Sequence, residues 1–204
     1  MNTDNNFTAY FGRLKNTLDK LDTKTIRKIV DALLKCREDG KTMYIFGNGG
    51  SAANASHIAG DFLKGISYGM EKRFKVLCLN DNIAGTTAIT NDLSYDEVFI
   101  EQLRTFMIPG DVVIGISGSG NSENIVKAIQ WAVKNGGKTI AMVGFKGGRL
   151  AKIAEIIMHV PIEDMEITED IHSMIFHCIK QEINRCIKGD SYSMGEEYDK
   201  RINQ

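Results

Sequence analysis

Five short apolar runs, at 42–46, 74–79, 111–116, 138–143 and 156–160, constrain this chain more than any other feature. Each is five or six residues long, mostly β-branched or aromatic, and bounded by Gly, Asn, Asp, Ser or Pro. Helix-compatible stretches separate them, at about 51–66, 83–106, 121–135 and 147–153. Strands that are apolar on both faces and alternate with helices predict a parallel sheet covered on each side. The expected fold is therefore α/β: a doubly wound five-stranded parallel sheet flanked by helices. Two helices precede it. Phe7, Tyr10, Phe11, Leu14, Leu18 and Leu21 recur at three- and four-residue steps, and Ile26, Ile29, Val30, Leu33 and Leu34 form a second stripe that Gly40 ends. Residues 1–40 thus read as a helical arm, and 41–188 as the α/β core with a long last helix at about 167–188. The polar tail, 189–204, shows no period. The arm has an apolar face to bury, either on its own sheet or on a partner subunit.

The chain's 204 residues suit one domain, expected over 1–188. Lys and Arg number 25 against 26 Asp and Glu, with no basic block, so a long nucleic-acid surface is not expected. No apolar run approaches the roughly 20 residues of a membrane span. Cys36, Cys78, Cys178 and Cys186 are widely spaced, with no CxxC pair, and the polar N-terminus does not read as a signal peptide. Reduced thiols in a cytoplasmic protein are the expectation.

In an open parallel sheet, ligands bind beyond the C-terminal ends of the strands, where the strand order reverses. Two loops at such ends stand out. The first holds Gly47, Asn48, Gly49, Gly50 and Ser51, whose glycines let backbone approach a ligand at a helix N-terminus. The second holds Ser117, Gly118, Ser119, Gly120, Asn121 and Ser122, a cradle of donors for a phosphate. Plain turn chemistry also places Gly and Ser in such loops. The GxGxxA match at 47–52, with Asp81 ending the second strand, admits a dinucleotide reading that leaves the serine-rich loop unexplained. A P-loop hydrolase is excluded, because no GxxxxGK[ST] occurs.

His57 and Asp61 are spaced i, i+4 and share a helix face, as an exposed pair or as metal or proton chemistry. His172 and His177 lie on the last helix with Glu169 near its start, and His159 reads as an ordinary strand residue.

The stretch Gly47 to His57, the pair Asn91 and Asp92, the loop Ser117 to Ser122 and the segment Glu169 to His177 together resemble the phosphoheptose isomerases. These belong to the sugar isomerase (SIS) fold superfamily, and the resemblance spans about residues 5 to 188. It implies interconversion of sedoheptulose 7-phosphate and D-glycero-D-manno-heptose 7-phosphate, for bacterial lipopolysaccharide, capsule or other glycans. It also implies a homotetramer. Carried onto this chain, Asn48, Gly49, Gly50, Ser51, Asn91 and Asp92 contact the sugar, and Ser117, Gly118, Ser119 and Ser122 surround the phosphate. Glu169 joins the substrate-binding set. A zinc ion is expected on His57, Asp61, Glu169 and His177. The family has Glu where this chain has Asp61, and Gln where it has Glu169; two His and two carboxylates still form a sound zinc set.

An aldose–ketose interconversion moves a proton between adjacent carbons, and Asp61 and His177 are the expected catalytic pair. The contrasting reading is a non-catalytic SIS protein, a sugar-phosphate sensor or a replication-initiation factor that shares the first loop. Retention of Asp61, Glu169 and His177 favours the enzyme. Glu169 and His177 are eight residues apart, about 12 Å on a regular helix, too far to share one ion. Either Glu169 lies in a loop that folds back, or the site is completed between subunits. The second is expected, with Asp61 and His177 as the pair to test for residence in different chains.

Overall fold

The computed structural model describes residues 4–189 together with residues 193, 195 and 199. The polar tail expected at 189–204 therefore lies almost entirely outside the described residues. Two helices come first, α1 (Asp4–Leu18) and α2 (Thr23–Glu38). Asp22 caps α2 by accepting from the Lys24 N–H. At the other end, Gly40 N–H bonds to Arg37 O and Lys41 N–H to Cys36 O, the paired bonds of a glycine-terminated helix.

The core runs β1 (Thr42–Gly47), α3 (Gly50–Gly60), β2 (Lys75–Cys78), α4 (Ile83–Asp92), α5 (Val98–Phe106), β3 (Val112–Ser117), α6 (Glu123–Lys134), β4 (Lys138–Val143), β5 (Ile156–His159) and α7 (Met165–Lys188). All strand pairs are parallel, in the order β2-β1-β3-β4-β5. The order reverses between β1 and β3, and those are the strands whose following loops carry the glycines and serines.

Side-chain alternation divides the core into two layers. Met43, Ile45, Val112, Ile114, Ile116, Ile140 and Met142 face α2, α3 and α7. Tyr44, Phe46, Val113, Ala141 and Val143 face α5 and α6. The central strands β1, β3 and β4 are buried almost throughout, whereas edge strands β2 and β5 alternate.

Four helical stretches differ from expectation. The stretch 51–66 is α3 followed without a break by a π-helical turn, Asp61–Ile66. The stretch 83–106 is broken at extended Ser94 into α4, a short 3₁₀ turn at Tyr95–Glu97, and α5. At 147–153 only a 3₁₀ turn, Leu150–Lys152, forms, because Gly147 and Gly148 hold φ of 81° and 56°, outside helical space. The last helix begins two residues early, where Asp164 caps it by accepting from the Ile167 N–H.

The arm packs on its own chain: Tyr10 Oη donates to Asp170 at 2.6 Å and Arg13 pairs with Asp164 at 2.7 Å, both along α7. Its opposite face stays open, with Phe7 and Phe11 about two-thirds exposed (65% and 64%). None of α4 is buried, and Ile83 and Leu93 are exposed. All four cysteines are free thiols. Among the described residues, no helix is long and apolar enough to cross a membrane.

Candidate active site

The two loops converge on one cleft of about 260 Å³, lined by Asn48, Gly49, Gly50, Ser51, Ile116, Ser117, Gly118, Ser119, Ser122, Met165 and Glu169. Gly49 adopts φ 56°, which turns the chain from β1 into α3 and aims the N-terminus of α3 at the cleft. A Cβ at Gly50 would overlap the Glu169 carboxylate, so glycine there leaves room for that carboxylate in its present place. Asn54 Nδ2 donates to the Glu169 carbonyl at 3.0 Å and secures the same contact. In the second loop the Ser117 and Ser122 hydroxyls are 3.1 Å apart, and Ser117 Oγ accepts from the Gly120 N–H. Ser119 Oγ accepts from the Asn121 N–H. Among the described residues that line the cleft none is cationic, and the groups it offers an anion are hydroxyls, backbone N–H groups and a helix end. Burial raises the Glu169 carboxyl above the usual carboxylate range, against the opposing Ser51 backbone N–H.

A second grouping lies further along α3 and α7. His57 Nε2 stands 3.6 Å from Asp61 Oδ2, His177 Nε2 stands 3.7 Å from the same oxygen, and the two ring nitrogens are 3.3 Å apart. Lone pairs that converge in this way need a proton or a cation between them. Tetrahedral metal bonds of about 2.0–2.2 Å set ligand atoms about 3.3–3.6 Å apart. Those separations match the observed triangle, so His57, Asp61 and His177 fit a metal ion. The π-helical turn beginning at Asp61 widens the helix where the carboxylate projects.

The single chain brings some of the expected residues together and keeps others apart. Within one chain Glu169 stands away from the three ligands: it lies within α7, in an unbroken helix eight residues before His177, and its carboxylate lines the cleft beside Gly50. The folded-back loop is therefore ruled out. Asp61 and His177 come together in one chain, so they are not the pair to seek in different subunits. Asn91 and Asp92 end α4, both exposed, with Asn91 Nδ2 donating to Asp92 Oδ1, and neither lines the cleft. His159 is the plain strand residue expected, its ring bonded to Phe145 O. His172 is buried on α7, where the Val143 backbone only partly offsets the cost of charging its ring.

Sequence reasoning also missed residues that hold the site. Asn48 and Asn124 exchange two amide hydrogen bonds of 3.0 Å, and Tyr95 Oη donates to Asn48 Oδ1 at 2.8 Å. The signal for Asn124 was an amide in the otherwise apolar stripe that opens α6. Phe145, at φ 46°, is strained beside Gly118 in the loop after β4.

The SIS domain family matches residues 6–144, and the chain belongs to it. Within that family it belongs with the phosphoheptose isomerases. It is 40% identical over 172 residues to the probable phosphoheptose isomerase of Thermoplasma volcanium, covering 84% of each chain. It is 34% identical over 180 residues to the phosphoheptose isomerase of Helicobacter pylori, covering 88% of this chain and 92% of the relative. The solved structure of a phosphoheptose isomerase from Francisella tularensis superposes with a TM-score of 0.83 at 27% identity, covering 91% of this chain and all of the other.

Proposed function

We propose that this protein is a cytoplasmic aldose–ketose isomerase. It converts sedoheptulose 7-phosphate to D-glycero-D-manno-heptose 7-phosphate for bacterial surface glycans. The observation that carries the reading is the convergence of His57, Asp61 and His177 on α3 and α7, the two helices that also border the donor-rich cleft. A protein that only senses a sugar phosphate needs the cleft but has no use for two imidazoles and a carboxylate poised at 3.3–3.7 Å. The serine loop and the start of α3 bind the phosphate, and Asn48, fixed by Asn124 and Tyr95, meets a sugar hydroxyl. Asp61 takes the proton from the carbon next to the carbonyl, and His177 delivers one to the sugar oxygen; reversal of the roles completes the transfer. His57, Asp61 and His177 would hold a zinc ion, which would supply a Lewis acid to the sugar.

The rings of His57 and His177 are about half exposed (55% and 46%), with exposed Leu63 and Met174 close by in sequence. The open faces of α1 and α4 add further uncovered apolar surface. These features support a homotetramer in which the cluster of one chain meets the cleft of another, Glu169 included. The test is an isomerase assay on heptose phosphates, with added zinc and with chelator. No turnover under either condition, with the purified protein folded, refutes the proposal.

A further inference from the structure

Lys180 lies three residues beyond His177 on α7, so the two side chains share a helix face. Its ammonium donates to Asp61 Oδ1 at 2.6 Å, and both side chains are more than four-fifths buried (17% and 18% exposed). The other oxygen, Oδ2, is the one that faces His57 and His177. Space for the ammonium comes from Gly65, in the π-helical turn four residues after Asp61. A Cβ there would lie 3.0 Å from Lys180 Cε and 3.1 Å from Nζ. A free carboxylate rotates and offers either oxygen, or both, to a cation. Here one oxygen is already held.

We propose that Lys180 is a positioning residue that holds Asp61 Oδ1, so that the site uses Asp61 through Oδ2 alone. This rests on the isomerase reading of the same site and adds to it a lysine outside the expected set. Two consequences follow. In a site that holds a metal, Asp61 enters as a one-oxygen ligand; in a site that holds none, its Oδ2 is kept in one direction for proton transfer. The ammonium also offsets the carboxylate's charge, which weakens the hold on a divalent cation.

The two consequences give opposite signs when the lysine is removed, and a merely structural ion pair would not do that. Metal-stripped protein is titrated with Co²⁺ alone, and the same preparations are assayed for turnover. Lys180→Met is expected to bind Co²⁺ about tenfold tighter or more, because a nearby positive charge is gone. Its visible cobalt spectrum should shift as the freed Oδ1 enters coordination. Its kcat should fall about ten- to a hundredfold, the scale of a misplaced reacting group, with KM within about twofold. Lys180→Arg should restore the wild-type cobalt spectrum and most of kcat. Gly65→Ala, which keeps the lysine but crowds its ammonium, should shift the same readouts less, and it carries the test if Lys180→Met does not fold. Wild-type cobalt affinity and spectrum in the folded variants overturn the proposal, as does a wild type that takes up no cobalt. A wild type that binds cobalt without isomerising heptose phosphates refutes the functional reading instead, and the coordination result still decides the role of Lys180.

Discussion

Mixing two inactive variants, Glu169→Ala and His177→Gln, after dissociation and reassociation should return about a quarter of wild-type activity. The expectation comes from helix geometry. Both residues sit on α7, an unbroken helix from Met165 to Lys188, eight residues apart. That is about 12 Å along the axis and about 80° around it. One side chain lines the phosphate cleft and the other joins His57 and Asp61, so one chain's Glu169 does not reach its own cluster. If each active site pairs the cluster of one subunit with the cleft of another, a random one-to-one mixture gives an intact cluster in half the sites. It gives an intact cleft in half of those, hence about a quarter overall. The control is Asp61→Ala mixed with His177→Gln. Those two groups lie 3.7 Å apart in one chain, so every cluster carries a lesion and no activity returns. Native mass spectrometry establishes that mixed oligomers form. Mixed oligomers without recovery in the first pair, or recovery in the control, would refute the reasoning.

Ser119→Ala and Ser122→Ala should raise KM about ten- to a hundredfold while leaving kcat nearly unchanged, since a phosphate hydrogen bond worth about 1.5–3 kcal/mol persists from ground to transition state. Steady-state kinetics showing an unchanged KM in both would remove the phosphate from that loop. His172 bears on acid stability: burial lowers its pKa from 6.5 to about 4. The unfolded chain then takes up the proton first, so stability is full above about pH 6.5 and falls progressively toward pH 4. The loss approaches about 3 kcal/mol, at 1.36 kcal/mol per unit. Urea unfolding at pH 7 and pH 4.5 should show a smaller pH dependence for His172→Phe than for wild type; equal dependence in both contradicts the assignment.

Much of the architecture was legible because its causes are local. An apolar run of five or six residues bounded by turn formers has few ways to be buried other than as an inner strand, and all five runs became strands of a parallel sheet. Gly49 and the serines after β3 announced the binding loops for the same reason: a positive φ and a helix N-terminus are properties of a few consecutive residues. The i, i+4 spacing placed His57 and Asp61 on one face before any tertiary contact was known. Two glycines with positive φ, Gly147 and Gly148, account for the missing helix at 147–153.

What only the tertiary structure decided is which distant side chains meet. Spacing along α7 showed that Glu169 and His177 stand apart, but not that His177 falls beside Asp61 while Glu169 falls beside Gly50. That depends on how α7 lies against α3, where the burial of Ile167, Ile171, Ile175 and Ile179 acts together with the Asn54–Glu169 and Lys180–Asp61 contacts. Nothing in the sequence marks Lys180; the packing is what sets Gly65 opposite it. Asn124 looked like a helix-start amide until β1 and α6 brought Asn48 within 3.0 Å. Sequence periodicity carries the direction in which a side chain leaves its own element. The partner it finds is set by the non-directional burial of apolar surface across the whole core, which no short window of residues records.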